Sequence, residues 1–296
     1  GNFVAPIVDW HDVIDLDYSN AGLRKKMTEA LKFWIAKCDI DGYRCDVAGM
    51  VPTDFWNEVR PQLDKIKPIF MLAEAEQLDL HEKAFDMGYA WDLHHIFNDI
   101  AKGKKNAYDL VKYTNKEQEK FKNGEYRMIF TSNHDENSWN GTEFERLGKA
   151  AECFAALSFV YRGMPLIYSG QEAESNKRLN FFDKDSIEWK TTRTAEIYTK
   201  LANLKKNNKA IWNGEEGSDM VLLPVNSKKA LFSFVRTKDK NKVFVIFNLS
   251  NNEVTAKINS DLINDSFTNI MTGKEQSFSN HSTLKLKPWG YYIFYK

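Results

Sequence analysis

Hydrophobic periodicity divides the chain into an α/β region on a parallel sheet (residues 1–212) and an all-β antiparallel sandwich (residues 213–296). Three features draw that division. Between Asn20 and Asn208, short apolar runs alternate with longer segments of helical spacing. The runs are apolar throughout, not at every second position, as in parallel strands covered on both faces. Beyond Trp212, helical spacing gives way to short strands separated by Asn, Ser, Lys and Gly.

The elements follow in order. Leu23, Met27, Leu31, Trp34 and Ile35 recur at helical spacing over 20–37, with Ser19 or Asn20 able to cap the start. A strand is predicted over 42–46. Thr53 is predicted to cap a helix carrying Phe55, Trp56, Val59 and Leu63, which must stop before Pro68. Residues 69–73 form a continuous apolar strand and 77–85 a short helix. A weaker strand over 88–93 leads into a polar helical region reaching Lys122. Residues 127–132 give the next strand, 143–161 a strongly apolar helix, 165–169 a further strand and 194–206 the last helix of this region. Strands are then expected at 221–225, 231–236, 243–249, 254–258 and 291–295.

Composition narrows the function classes. Lys plus Arg and Asp plus Glu both number 41, so the formal net charge is zero. Proteins that hold nucleic acid or an anionic membrane carry a basic excess, so neither partner is expected. No apolar run is long enough to span a bilayer. Cys38, Cys45 and Cys153 are scattered without metal-like spacing and read as reduced, buried thiols. The eight Trp and twelve Tyr include candidates for packing on the flat apolar faces of sugar rings. No leader is visible, yet Gly1-Asn2-Phe3 does not resemble a natural start. The compartment is therefore open, tilted slightly towards a periplasmic or secreted protein.

Three predicted strands end in carboxylates. They read Gly42-Tyr43-Arg44-Cys45-Asp46, Ile69-Phe70-Met71-Leu72-Ala73-Glu74, and Met128-Ile129-Phe130-Thr131-Ser132-Asn133-His134-Asp135. Charges seldom end a buried strand without a partner or a task. Carboxylates gathered from the ends of successive parallel strands suit glycosidic bond chemistry. Arg44, two residues before Asp46 on the same strand face, is placed to keep Asp46 ionised. Glu76 shares the strand-end face of Glu74, but the Leu-Ala-Glu context favours Glu74.

These motifs, in this order, resemble the α-amylase family of glycoside hydrolases. The likeness covers nearly the whole chain and implies a partial TIM-type (β/α)8 barrel, about strands four to eight, followed by the β-sandwich. It implies Asp46 as nucleophile, Glu74 as general acid/base and Asp135 as the third acid that binds and steadies the sugar. Arg44 and His134 would contact the substrate side, and Trp91 and Trp139 are candidate sugar platforms. Phe181-Phe182-Asp183-Lys184-Asp185, leading to Ile187-Glu188-Trp189, looks like the family's loop after the last barrel strand. Gln171 and Glu172 would brace the site from behind. His94, His95 and His11 read as structural or rim residues, not metal ligands. The implied partner is an α-glucan oligosaccharide or polysaccharide, and the implied reaction a double-displacement hydrolysis with Glu74 raised in pKa by burial and nearby negative charge.

The chain also departs from the family. Five strand–helix units are visible where a closed barrel needs eight. The first recognisable segment, Asp9 to Asp17, resembles the stretch just before the fourth strand. The expectation is a C-terminal fragment whose remaining partner is the missing N-terminal part of the same enzyme. At Gly49 and Met50 many relatives carry a Lys-His pair that touches the leaving-group sugar and sometimes a calcium. Gly and Met cannot make those contacts, so this segment gives calcium no support, and no metal ligand or cofactor is assigned. Two alternatives stay open: an α-glucan transglycosylase using the same triad, and an amylase-like accessory protein without catalysis.

Overall fold

The computed structural model describes residues 4–10, 13–121 and 124–296. His11, named above as a rim residue, and Lys122, the expected end of a helical region, lie outside the described residues, as do positions 1–3. The chain divides into two compact units, Gly1–Tyr89 and Ala90–Lys296.

The first unit alternates helix and strand: α1 Ala21–Cys38, β1 Gly42–Cys45, α2 Thr53–Asp64, β2 Phe70–Ala73 and β3 Met87–Tyr89. Helix α1 starts where Asn20 accepts from the amides of Gly22 and Leu23, and it ends at Asp39 in the left-handed region. The three strands are parallel, with Gly42 opposite Phe70, Cys45 opposite Ala73, and Leu72 opposite Met87. Gly42 is required by close approach, since a Cβ there would lie 1.9 Å from the Phe70 carbonyl oxygen. Ile35, Phe55, Val59, Leu63, Met71 and Ala73 form the core. Arg60 ties the far end of the strands together, donating to the Ile69 and Ala84 carbonyls and to Asp86. Asp86 in turn accepts from the Met71 amide at 2.7 Å.

Two expectations are corrected in this unit. Thr53 opens α2 but does not cap it; Pro52 occupies the cap position, and the Thr53 hydroxyl donates to Asp79. Residues 77–85 contain only a 3₁₀ turn, Asp79–His81. That turn already buries Leu80, and Phe85 meets the edge of Trp56, so no longer helix is needed to fill the core.

The second unit begins with α3 Trp91–Ala101 and α4 Ala107–Lys120, then β4 Tyr126–Ile129, α5 Glu143–Leu147, α6 Ala151–Val160, β5 Met164–Pro165 and α7 Arg193–Asn207. Strands β4 and β5 are parallel. The strand expected over 88–93 stops at Tyr89, and Leu93 belongs to α3, where it is buried with Ile96, Phe97 and Ile100. The single helix expected over 143–161 is two helices. Gly148 takes a positive φ of 53° and opens a 3₁₀ turn between them.

Antiparallel strands follow: β6 Val221–Leu222, β7 Leu231–Lys238, β8 Asn241–Asn248, β9 Val254–Ile258, β10 Ser266–Asn269, β11 Glu275–Ser277, β12 Ser282–Leu286 and β13 Tyr291–Tyr295. Six of them form one sheet in the order β11-β10-β13-β8-β7-β6, and β12 pairs with β9. Phe232, Phe234, Val245 and Phe247 face the helical core with Phe154 and Leu201. Val235, Phe244 and Ile246 face the other way, onto Ala256, Ile258, Leu284 and Leu286 of β9 and β12. Burial on both faces explains why β7 and β8 read as unbroken apolar runs. Strands 266–269, 275–277 and 282–286 escape sequence reading because they are short and rich in Ser, Thr and Asn. Among the described residues no helix is long and apolar enough to cross a membrane.

Arg236 of β7 is buried inside this unit, and among the described residues no carboxylate lies within ion-pair distance of it. Its guanidinium donates to the carbonyls of Tyr161 (3.0 Å), Val160 (3.3 Å), Trp212 (2.9 Å) and Ser218 (2.9 Å). Burial and the neighbouring Arg162 charge pull its pKa down to about 9. Arg236→Ala leaves four carbonyls short of a donor, two of them buried, and opens a cavity. It is expected to cost about 3 kcal/mol or more, read as a lower midpoint in urea unfolding.

Candidate active site

In the first unit the register of β1 on β2 places two carboxylates at adjacent strand ends. The Glu74 amide donates to the Cys45 carbonyl at 3.0 Å, so pairing runs to the last residue of each strand. Arg44 lies between them. Its Nη1 bonds Asp46 Oδ1, its Nη2 reaches Glu74 Oε2 at 2.8 Å, and its Nε donates to the Tyr89 hydroxyl at 3.1 Å. The guanidinium also lies 5.5 Å from the Tyr89 ring centroid. Burial pulls the Arg44 pKa down, but the bonds from Tyr89 and Asp46 and the charge of Glu74 outweigh it and raise the group above its ordinary value. Arg44 is therefore a permanent cation with fixed geometry.

The residue after Asp46 is strained. Val47 has φ 41° and ψ 44°, a left-handed conformation that a β-branched residue rarely adopts. The strain has a visible result: the Val47 amide donates to Glu74 Oε2 at 3.0 Å. Glu74 thus sits in a cationic and hydrogen-bonded setting, where the sequence reading expected burial beside negative charge. Its side chain is 12% exposed, and that of Asp46 is 76% exposed. Cys45 is buried beside them, and burial pushes its thiol up to about 12, which makes it unreactive.

The turn Ala48–Met50 follows directly. A Cβ on Gly49 would meet the flexible end of the exposed Gln77 side chain, 2.3 Å away, which is free to swing aside. Met50 is half exposed. Among the described residues no group of three or more His, Cys, Asp or Glu side chains is placed to hold a metal. This turn offers a calcium no side-chain ligand.

The second unit carries Asn133, His134 and Asp135 four to six residues past the end of β4. Asn133 is buried and its Oδ1 accepts from the Glu136 amide at 2.8 Å, while its carbonyl accepts from the Asn137 amide. His134 and Asp135 are partly exposed and lie 3.4 Å apart. Asp135 raises the pKa of Tyr168, second to burial.

Beneath the triplet lies a buried polar network of which the sequence reading anticipated only the bracing Gln171 and a structural His94. His94 Nε2 meets Glu136 Oε2 at 3.0 Å, and Asn140 donates to Glu136 Oε1 at 2.9 Å. Arg146 lies 3.7 Å from Glu136 and donates to the carbonyls of Gly141 and Thr131 and to Asn98. Gln171 donates to Thr131 and to Glu143, which also accepts from Thr131. Gln171 therefore braces the end of β4 from behind. Burial pushes the Glu136 carboxyl up, but His94, Arg146 and Asn140 outweigh it and hold it at about 2. Burial lowers the His94 ring from its ordinary 6.5 and raises Glu143.

The two candidate platforms differ. Trp91 is partly buried, stacks on His95 and turns its edge to Phe130, so it is committed to packing. Trp139 is 56% exposed and packs with Phe181 and Phe182. His95 is exposed beside Trp91, and His94 is structural.

Comparison with known proteins fixes first the fold and then the family. The maltogenic α-amylase AmyB from Thermotoga neapolitana superposes with a TM-score of 0.87 over 100% of this chain and 70% of that one, at 23% identity. The fold is that of part of a (β/α)8 barrel with its C-terminal β-domain. Residues 8–248 match the family "Alpha amylase, catalytic domain", and residues 231–290 match "Alpha-amylase SusG C-terminal domain". The chain belongs to the α-amylase catalytic-domain family. A maltogenic α-amylase of Bacillus acidopullulyticus is 24% identical over 90% of this chain and 47% of its own. A cyclomaltodextrin glucanotransferase of Bacillus sp. (strain 1-1) is 23% identical over 87% of this chain and 37% of its own. The chain thus spans less than half the length of either relative.

The buried network predicts an acid limb in stability. For His94 and Glu136 the unfolded chain takes up protons that the folded chain refuses, so stability falls as pH drops, first below about 6.5 and then between about 4.5 and 2. Glu143, raised by burial, opposes this, so the informative quantity is a difference. Thermal melts of the native chain and His94→Gln from pH 8 to 5 are expected to converge at low pH, as the variant lacks the first limb.

Proposed function

We infer that this chain carries the catalytic carboxylates of a retaining α-glucan hydrolase acting on starch, maltodextrin or related oligosaccharides. The observation that carries the reading is Arg44 ion-paired with Asp46 and Glu74 at adjacent strand ends, in the family's own motifs. Asp46 attacks the anomeric carbon as Glu74 delivers its proton to the departing glycosidic oxygen, giving a glycosyl ester and a free chain end. Glu74, now a carboxylate, takes a proton from water, whose oxygen displaces Asp46 and restores the starting state. Two inversions leave the anomer unchanged. Asp135 binds sugar hydroxyls and offsets positive charge on the ring, and His134 donates to a hydroxyl of the same sugar.

Arg44 gives the pair its asymmetry. An ionised nucleophile gains from the adjacent guanidinium, whereas Glu74 must hold a proton at the first step. Substrate that draws Arg44 towards Asp46 would release Glu74 to act as an acid. A sugar hydroxyl in place of water turns the second step into transfer, the reaction named in the glucanotransferase relative. The same residues serve both outcomes.

Asp46→Asn and Glu74→Gln are expected to lower turnover of maltoheptaose by about 10²–10⁴-fold or more with the fold intact by circular dichroism. Proton NMR of the fresh product should show the α-anomer first. Unchanged turnover in both variants, or initial release of the β-anomer, would overturn the reading.

A further inference from the structure

Glu143, whose carboxylate belongs to the network under the acidic triplet, also lines a cavity of about 220 Å³ in the second unit. The rest of the lining comes from α5, from the first turns of α6 and α7, and from Glu174 beyond β5. Phe144, Ala151, Ala155 and Ile197 give the cavity apolar walls. His134 and Asp135 take no part in it.

The polar atoms on this lining fall into two sets. Glu152 is satisfied, because Arg193 pairs with both its oxygens and the Tyr291 hydroxyl donates to one of them at 3.0 Å. Glu174 Oε1 accepts from the Thr194 hydroxyl at 2.8 Å and from the Thr194 amide at 3.3 Å. Glu143 Oε2 accepts from Thr131 and Gln171. Glu143 Oε1, Glu174 Oε2 and the Tyr198 hydroxyl are left over, with no hydrogen-bond partner among the described residues. Glu143 and Tyr198 are each only 5% exposed, so bulk water is a poor substitute for a partner. Burial, and after it the charges of Glu143 and Glu172, holds the Tyr198 hydroxyl well above its ordinary pKa, so it stays protonated. Lys149 also lines the cavity, but it is exposed and its charge is screened by water.

Buried acceptors without donors call for a ligand that brings donors. The surplus charge is negative, which repels phosphate, sulfate and carboxylates. A divalent metal does not fit either, since among the described residues no group of three or more His, Cys, Asp or Glu side chains is placed to hold one. A neutral polyol supplies donors but leaves the Glu143 charge uncompensated in a setting where burial already disfavours it. A primary alkylammonium has three N–H donors, no acceptor and an apolar stem, and so suits both the open acceptors and the walls. We propose that this cavity binds a small organic ammonium ion, its nitrogen against Glu143 and Tyr198 and its stem along Phe144 and Ile197. Through Glu143 and Thr131 the ligand is joined to the backbone that leads to His134. The site goes beyond the hydrolase reading and does not depend on it.

The test is calorimetric titration of the full chain in an amine-free buffer with n-butylammonium chloride, with 1-butanol and sodium chloride as controls. Butylammonium is expected to bind with a dissociation constant of about 1 mM, and butanol not measurably. Tyr198→Phe and Glu143→Gln are each expected to weaken binding about tenfold, whereas Asp46→Asn leaves it within about twofold. Tyr198→Phe removes an oxygen that has no partner in the protein, so folding is not at stake. Ala155→Leu fills the cavity without altering a charge and is expected to abolish binding. No binding by the native chain, equal affinity in both polar variants, or butanol binding as tightly as butylammonium overturns the site. Binding lost in Asp46→Asn also overturns it, since the amine then sits at the strand-end acids. Each of these results leaves the hydrolase reading standing.

Discussion

One guanidinium organises the first unit. Arg44 reaches Asp46, Glu74 and the Tyr89 hydroxyl with three different nitrogens, which a lysine could not do from one point charge. That reach depends on β1 lying close to β2 in one register, and the closeness depends on Gly42, whose missing side chain leaves room for the Phe70 carbonyl. A slip of one residue would turn Arg44 to the opposite face of its strand and leave two acids facing each other without a counter-charge. Helices α1 and α2 and their apolar core fix that register. The left-handed Val47 is the local cost, offset by its amide bond to Glu74.

The second unit solves a different problem. Its triplet must present two polar side chains while standing next to a strand end with an apolar core behind it. The solution is a buried network in which His94, Glu136, Arg146, Glu143 and Gln171 satisfy one another and the carbonyls of the turn. Such a network is stiff when complete and costly when broken, because each polar group is shut away from water. The chain thus spends buried charge on the precision of a few exposed atoms.

Much of this was legible in residues. The strand-end motifs stood out because a carboxylate after an apolar run contradicts the run itself, and the alternation of helix and strand survived short strands. Boundaries suffered where one apolar stretch serves two elements: residues 89–93 favour strand and helix alike, and the break at Gly148 is a single residue in a long apolar segment. The ion pair of Arg44 with Glu74 was hidden because it crosses between strands, and sequence spacing shows only the partner two residues away. The same limit hid most of the network under the triplet, where only Gln171 had been expected to brace the site and His94 joins from a distant helix.

The sheet at the end of the chain is buried on both faces, one against helices α6 and α7 and the other against β9 and β12. Arg236 fastens it to the close of α6 through backbone carbonyls. An appendage with its own interior could be trimmed or swapped between proteins. This layer cannot, because its inner surface is also the floor beneath the helices that support the acidic triplet. Cutting the gene after the last helix would strip that floor, and the product would be a sticky, half-built body, not a leaner catalyst.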